Sequence, residues 1–230
     1  MQKILVVTGA NKGIGLSITK IALEKFFKVV AISRSTDNLE LLEKEYPDTL
    51  HICKTDINAE NSLSVIENLI KKLNIRIDVL INNAGLLINK PFVEFNFESA
   101  DKILKTNFLS PAFLIQKLIP FINTNGHVIN IASMGGFQGS TKFSGLSFYS
   151  AAKGALAILT ECLALELSDQ SIYCNALALG AVQTEMLNEA FPGYEAPVSS
   201  TQMGQFIFDF AIAEKKYFNG KVLPVSISTP

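Results

Sequence analysis

Apolar residues fall along this chain in two alternating rhythms. Short apolar runs occupy residues 3–7, 29–32, 51–53, 79–81, 128–131, 172–179 and 222–225. Runs of that length with no regular polar alternation read as strands buried on both faces. Between them lie stretches with helical spacing at residues 13–26, 37–46, 62–73, 99–122, 147–167 and 202–213. In the third, Leu63, Ile66, Leu69, Ile70 and Leu73 share one side. Pro47 closes the second, and the fourth is expected to kink near Pro111 and end around Pro120.

Strand and helix alternate throughout. That order predicts an α/β fold, a doubly wound (Rossmann) and mostly parallel sheet of about seven strands with helices on both faces. Residues 1–230 read as a single domain. Only residues 183–201, with Pro192, Gly193 and Pro197, lack a core pattern. A loop of that length in a compact domain is expected to be functional or mobile.

Composition narrows the picture without changing it. The 230 residues suffice for one sizeable core, and 48% apolar with 18% charged residues is a globular balance. Net charge is −1, and no Lys/Arg run suggests nucleic-acid binding. Cys53, Cys162 and Cys174 are far apart, form no CxxC, and read as small core residues. With His51 and His127 elsewhere, neither a zinc site nor a disulfide framework is supported. No apolar run reaches membrane-spanning length, and the first strand starts too early for a signal peptide. The expectation is a soluble protein of a reducing, cytoplasmic compartment.

The candidate chemistry begins at Thr8-Gly9-Ala10-Asn11-Lys12-Gly13-Ile14-Gly15, which joins the first strand to the first helix. Its glycines allow a tight turn and close approach of a ligand, and the helix N-terminus offers free N–H groups to a pyrophosphate. At the end of the second strand an acid would bind a ribose 2′-hydroxyl, whereas a cation would accept a 2′-phosphate. The chain has Ser33 and Arg34 there, with Lys12 as a second cation. That pattern favours NADP(H) over NAD(H). Farther on, Tyr149 and Lys153 are four apart at the start of a helix and so share a face. An ammonium beside a phenol favours the phenolate, which would tune Tyr149 as a general acid/base.

Together these motifs resemble the short-chain dehydrogenases/reductases over essentially the whole chain. Thr8-Gly9-xxx-Gly13-x-Gly15 is similar to the family's cofactor loop, and Asn82-Asn83-Ala84-Gly85 to the segment that steadies its central sheet. Residues 128–133 resemble the strand that ends in the catalytic serine, and Tyr149/Lys153 match the YxxxK pair. The resemblance implies that Gly9, Asn11, Lys12, Gly13, Ile14 and Gly15 hold the cofactor. It further implies cofactor contacts from Ser33, Arg34, Asp56 and Ile57, from Asn83, Ala84 and Gly85, and from Gly180, Val182 and Thr184. Asp56 matches the adenine-contacting acid. The implied catalytic set is Asn107, Ser133, Tyr149 and Lys153. In it Tyr149 moves the proton, Ser133 polarises the oxygen, Lys153 also holds the nicotinamide ribose, and Asn107 anchors a relay water. The implied reaction is hydride transfer between NADP(H) and a carbonyl or alcohol substrate, by a homodimer or homotetramer that binds neither nucleic acid nor membrane. A non-catalytic NADP(H)-binding sensor or interaction protein on the same fold is the alternative.

Two departures stand out. The loop between Ser133 and Tyr149 is longer than most members show, and Leu179-Gly180 stands where Pro-Gly is usual. Ser144 and Ser147 are rivals to Ser133 for the hydroxyl role. Substrate walls are expected from residues 135–147 and 183–201, with Phe137, Phe143, Leu146, Met186, Leu187, Phe191 and Tyr194 as apolar candidates. Glu185, Glu189 and Glu195 are the charged exceptions. Only a few residues follow the last strand, where many members carry subunit contacts.

Overall fold

The computed structural model describes residues 2–227. The apolar runs form strands β1 (Ile4–Thr8), β2 (Lys28–Ser33), β3 (Leu50–Lys54), β4 (Ile77–Asn82), β5 (Ile122–Ser133) and β6 (Tyr173–Leu179). A two-residue pair follows, β7 (Val182–Gln183) and β8 (Val198–Ser199), then β9 (Val222–Val225). The helices are α1 (Gly13–Glu24), α2 (Asp37–Glu43), α3 (Ser62–Leu73), α4 (Phe97–Leu104), α5 (Ser110–Leu118), α6 (Ser147–Glu166), α7 (Glu185–Ala190) and α8 (Ser200–Ala213).

The main sheet has seven strands in the order β3-β2-β1-β4-β5-β6-β9, every pair parallel. The chain winds outward from β1 to β3, then returns to place β4 on the other side of β1. That reversal opens a crevice at the carboxyl ends of β1 and β4, where ligands of open parallel sheets bind. One core layer packs Ile18 and Ala22 of α1, Leu39 of α2 and Ile207 of α8 on the sheet. The opposite layer packs Ile66 and Ile70 of α3, Leu114 and Leu118 of α5 and Ala164 of α6.

The structure corrects the sequence expectation in four places. The expected long helix over residues 99–122 is broken. Helix α4 passes into a π-helical turn, Lys105–Leu109, before α5 begins, and residues from Ile122 onward already belong to β5. Pro111 supplies the reason. It lacks an N–H for the carbonyl four residues back, at Asn107, and its ring crowds that carbonyl, so the helix widens just before it. Residues 183–201 are not a bare loop but β7, α7 and β8, which pair as a small parallel sheet. Cys53 and Cys174 are buried as expected, whereas Cys162 is exposed on α6. Finally, α6 is by length and composition apolar enough to cross a membrane. In this fold it packs along β5 and β6.

Beneath the site, one buried polar network ties β5 and β6 to α8 and the C-terminal strand. His127 Nδ1 lies 2.9 Å from the Ala211 carbonyl, which can only accept, so Nδ1 carries the proton. The Asn175 amide donates to His127 Nε2 at 2.9 Å and to the Phe218 carbonyl at 2.9 Å. Its Oδ1 accepts the Lys221 N–H at 3.0 Å. Burial pushes the His127 pKa down to about 4, so the ring is neutral at pH 7. The folded pKa lies below the unfolded one, so this contribution is full above about pH 6.5 and is lost as pH falls towards 4. Stability should drop over that window by on the order of 2–3 kcal/mol. Urea titrations at pH 7 and pH 4.5 should show the drop in the wild type and a shallower one in His127→Leu. Equal slopes in the two proteins would contradict it.

Candidate active site

The crevice at the sheet's switch point is a cleft of about 780 Å³, within the usual span of ~300–1,000 Å³ for small-molecule sites. Its floor begins at the glycine loop. Gly9 and Gly13 adopt φ of +67° and +52°, left-handed conformations that side chains disfavour. A Cβ on Gly15 would lie 2.2 Å from the Gly9 carbonyl oxygen, so Gly15 lets the loop close on α1. Helix α1 has Lys12 at its N-cap with no side-chain cap. Its first N–H groups therefore face the cleft edge without a side-chain partner, as an anion site requires.

Neighbouring side chains hold this loop in place. Thr8 Oγ1 accepts the N–H groups of Asn83 and Ala84 at 3.1 and 3.0 Å, and Asn83 Nδ2 donates to the Thr8 carbonyl at 3.0 Å. Asn11 reaches across to α2. Its Oδ1 accepts the N–H groups of Asn38 and Leu39 at 3.0 and 3.2 Å, and its Nδ2 donates to Ser35 at 3.1 Å. Helix α2 gets no cap from its own Thr36, whose hydroxyl turns to Glu40. Asn11 thus supplies the cap from outside the helix, and its carbonyl accepts the Asn38 side-chain amide at 3.0 Å.

The two predicted cations are already paired. Lys12 Nζ lies 2.7 Å from Glu185 on α7, and Arg34 lies 3.8 Å from Asp56. Both pairs are exposed and screened by solvent, so an incoming phosphate can compete for either cation. Asp56 also accepts the Asn58 N–H at 2.9 Å, a turn contact.

The catalytic candidates meet where β5 ends and α6 begins. Lys153 is buried, and its Nζ donates to the Ile131 carbonyl at 2.7 Å, 5.9 Å from the centre of the Tyr149 ring. The Ser133 hydroxyl stands close enough to the Tyr149 phenol to lower its pKa and accepts the Gly135 N–H at 3.2 Å. Ser133 therefore holds the position for which Ser144 and Ser147 were rivals. The long loop leaves both ends in register because its first turn is clamped to α6. A Cβ on Gly136 would lie 2.5 Å from the Gly154 nitrogen.

Asn107 stands in the π-helical turn, fully buried. Its Nδ2 donates to the carbonyls of Leu86 and Ile103 at 2.8 and 2.9 Å, and its Oδ1 accepts the Leu86 N–H at 3.1 Å. A Cβ on Gly85 would lie 3.1 Å from Asn107 Oδ1 and 3.6 Å from Lys153 Nζ, so Gly85 keeps the space between them open.

Electrostatics depart from the simple expectation. Burial raises the Tyr149 pKa to about 12, with only its bond to Ser133 acting to lower it. Burial lowers Lys153 to about 8. The phenol is thus protonated throughout the neutral range, not a ready phenolate.

Gly9, Asn11, Lys12, Gly13 and Ile14 line the cleft. So do Ser33, Arg34, Asp56, Ile57, Asn83, Ala84 and Gly85, and, at its other end, Ser133, Tyr149, Lys153, Gly180, Val182 and Thr184. Gly15 and Asn107 do not. They stand behind the lining as packing and positioning residues. Thr184 uses its hydroxyl to cap α7 through the Leu187 N–H at 3.2 Å. Of the proposed walls, Phe137 packs instead on the cluster of Ala132, Met134, Ala176 and Ala178, and Glu195 lies outside the cleft. Leu179, in place of proline, pairs with Ser133 and Val225, so the departure extends β6 and leaves the loop anchored. Sequence reasoning missed Thr8 as a clamp and Asn58, Lys102 and Thr106 as lining. The Thr in the Thr-Gly turn was a signal for the first, and nothing local marked the others.

A short chain dehydrogenase family model matches residues 3–195. A 3-oxoacyl-[acyl-carrier-protein] reductase of Thermotoga maritima is 29% identical over 244 residues, covering 97% of this chain and 96% of the relative. A structure of 3-ketoacyl-(acyl-carrier-protein) reductase from Brucella melitensis complexed with NADH superposes with a TM-score of 0.86 at 24% identity, over 97% of this chain and 96% of that one. A structure of ElxO with NADP bound gives a TM-score of 0.85 at 24% identity, covering 98% of each chain.

Asn11→Ala should destabilise the protein by about 1–2 kcal/mol through the lost cap, read by urea titration. Asn11→Asp should retain most of the stability. If alanine were as stable as wild type, the cap would not matter.

Proposed function

Because this chain belongs to the short-chain dehydrogenases, we propose that it is an NADP(H)-dependent oxidoreductase that reduces a carbonyl substrate, with Tyr149 as the proton donor. The observation that carries this reading is the convergence of Ser133, Tyr149 and Lys153 in the cleft that also holds the glycine loop. The cradle fits a dinucleotide: Gly9 and Gly13 take the left-handed turns that shape the loop, and the uncapped start of α1 offers N–H groups to a pyrophosphate. Relatives of the same fold carry NADH or NADP.

When bound, the nicotinamide supplies the hydride chemistry. Tyr149 donates its phenolic proton to the carbonyl oxygen as charge builds there. Ser133 holds the same oxygen by a hydrogen bond. Lys153, protonated below about pH 8, places a positive charge beneath the phenol and stabilises the phenolate left behind. Asn107 orients the Leu86 segment that forms the roof beside Gly85.

NADP(H) is favoured because Arg34 and Lys12 flank the cleft near Ser33, and no carboxylate stands at the end of β2. Asp56 and Glu185 pair with these cations only at the surface.

The raised Tyr149 pKa and the lowered Lys153 pKa together shape the pH dependence. Reduction needs the protonated phenol, which persists well above neutral pH, and the Lys153 ammonium, which is lost above about 8. The rate of NADPH-dependent reduction should hold from pH 6 to nearly 8 and decline beyond. Tyr149→Phe should lose roughly 10²–10⁴-fold in reduction while still binding NADPH by fluorescence. Full activity in that variant across a responsive carbonyl panel would remove Tyr149 from the reaction. Arg34→Ala should lower kcat/KM for NADPH about tenfold with little change for NADH. A wild-type preference for NADH would overturn the cofactor assignment.

A further inference from the structure

The cleft extends past Tyr149 to walls that the cofactor region does not include. Phe143, Leu146, Phe191 and Tyr194 line that end, and Met186 lies against the catalytic groups. The Met186 Cε is 3.8 Å from a Cβ placed on Gly85, beside Asn107 and Lys153. Phe143 and Tyr194 are half-exposed, so apolar ring surface faces open space. Such surface is stabilised by covering it with another apolar body.

Charge is distributed in the opposite way. The cleft's cations other than Lys153 are Lys12 in the glycine loop, Arg34 after β2 and Lys102 on α4. Lys12 and Arg34 face carboxylates. Lys102 sits one turn before Thr106, whose hydroxyl contacts Asn58 next to the Asp56 turn. Glu185 and Glu189 are one turn apart on α7, and both act on Lys12, the first by a direct bond and the second through its field. Lys90 and Lys142 lie on neighbouring segments but are turned aside, Lys90 to Ser99 and the Phe95 ring, Lys142 to the Phe137 carbonyl. Among the described residues, no Lys or Arg besides Lys12, Arg34, Lys102 and Lys153 lines the cleft.

We propose that the substrate is an uncharged aldehyde or ketone carried on an apolar, ring-bearing body, and that the cleft rejects carbonyl compounds bearing a carboxylate or phosphate on that body. This rests on the carbonyl-reductase reading above and sharpens it. An anionic group drawn into this end would leave water for rings and a thioether, with no hydrogen-bonding cation to replace its hydration. The ring surface would meanwhile stack on an aryl substrate.

The test is a matched pair, methyl 4-acetylbenzoate and 4-acetylbenzoate, which share a skeleton and differ in charge. With saturating NADPH at pH 7, kcat/KM should favour the neutral ester by roughly 100-fold or more. Phe143→Arg, a change at an exposed wall, should narrow that ratio about tenfold by giving the carboxylate a partner. Turnover of the acid as fast as the ester overturns the inference and leaves the reductase reading intact. A ratio unmoved in Phe143→Arg would also count against it. No turnover of any neutral or charged carbonyl by cofactor-bound protein would overturn the reductase reading, and this inference with it.

Discussion

The site depends on burying one ammonium. Lys153 is buried at the start of α6, where an unpaired charge would be costly. A single carbonyl, Ile131, accepts its proton at 2.7 Å, and burial brings its pKa down to about 8. That arrangement pins α6 to β5 and thereby sets Tyr149 against Ser133. Other local oddities serve the same docking. Gly136 presses on the α6 backbone where any side chain would clash, and Gly85 leaves a gap between Lys153 and Asn107. The π-helical turn before Pro111 carries Asn107, whose amide holds the Leu86 segment on both sides.

The second half of the site is built around the reversal of strand order at β1 and β4. There the glycine loop, the Asn83–Ala84 segment and α2 are fastened by Thr8 and Asn11. Asn11 performs two tasks, shaping the loop and capping a helix distant in sequence. The cleft is therefore polar and anchored where a dinucleotide's phosphates would lie, and apolar and open where a substrate would lie. This polarity along one cavity underlies both the proposed reaction and the proposed substrate class.

Much of this was legible in the sequence, for reasons that are local. Buried strands and amphipathic helices announce themselves by period, so all seven main strands and their order of alternation follow from pattern. The glycine loop and the Tyr149/Lys153 pair are legible because their chemistry requires fixed spacing. The remaining features depend on distant partners. A π-helical turn looks like helix in any window, and the pairing of β7 with β8 joins residues that only the fold brings together. Lys12 reads as a free cation until α7 sets Glu185 beside it. Tyr149 reads as a tuned phenolate until burial is counted, which raises its pKa instead. Cys162 sits in an apolar stretch yet faces outward, since a helix with a wide apolar surface does not reveal which side is covered.

The central claim is that this cleft joins a hydride carrier to a phenolic proton donor at one carbonyl carbon. Isotope transfer tests it most directly. The protein would be incubated with NADPH carrying deuterium at both nicotinamide C4 positions and a panel of neutral aryl ketones, and the alcohol formed would be analysed by mass spectrometry and NMR. The account predicts deuterium on the carbinol carbon and none on the hydroxyl after exchange into water. Alcohol without the label, or deuterium released to solvent, would contradict it.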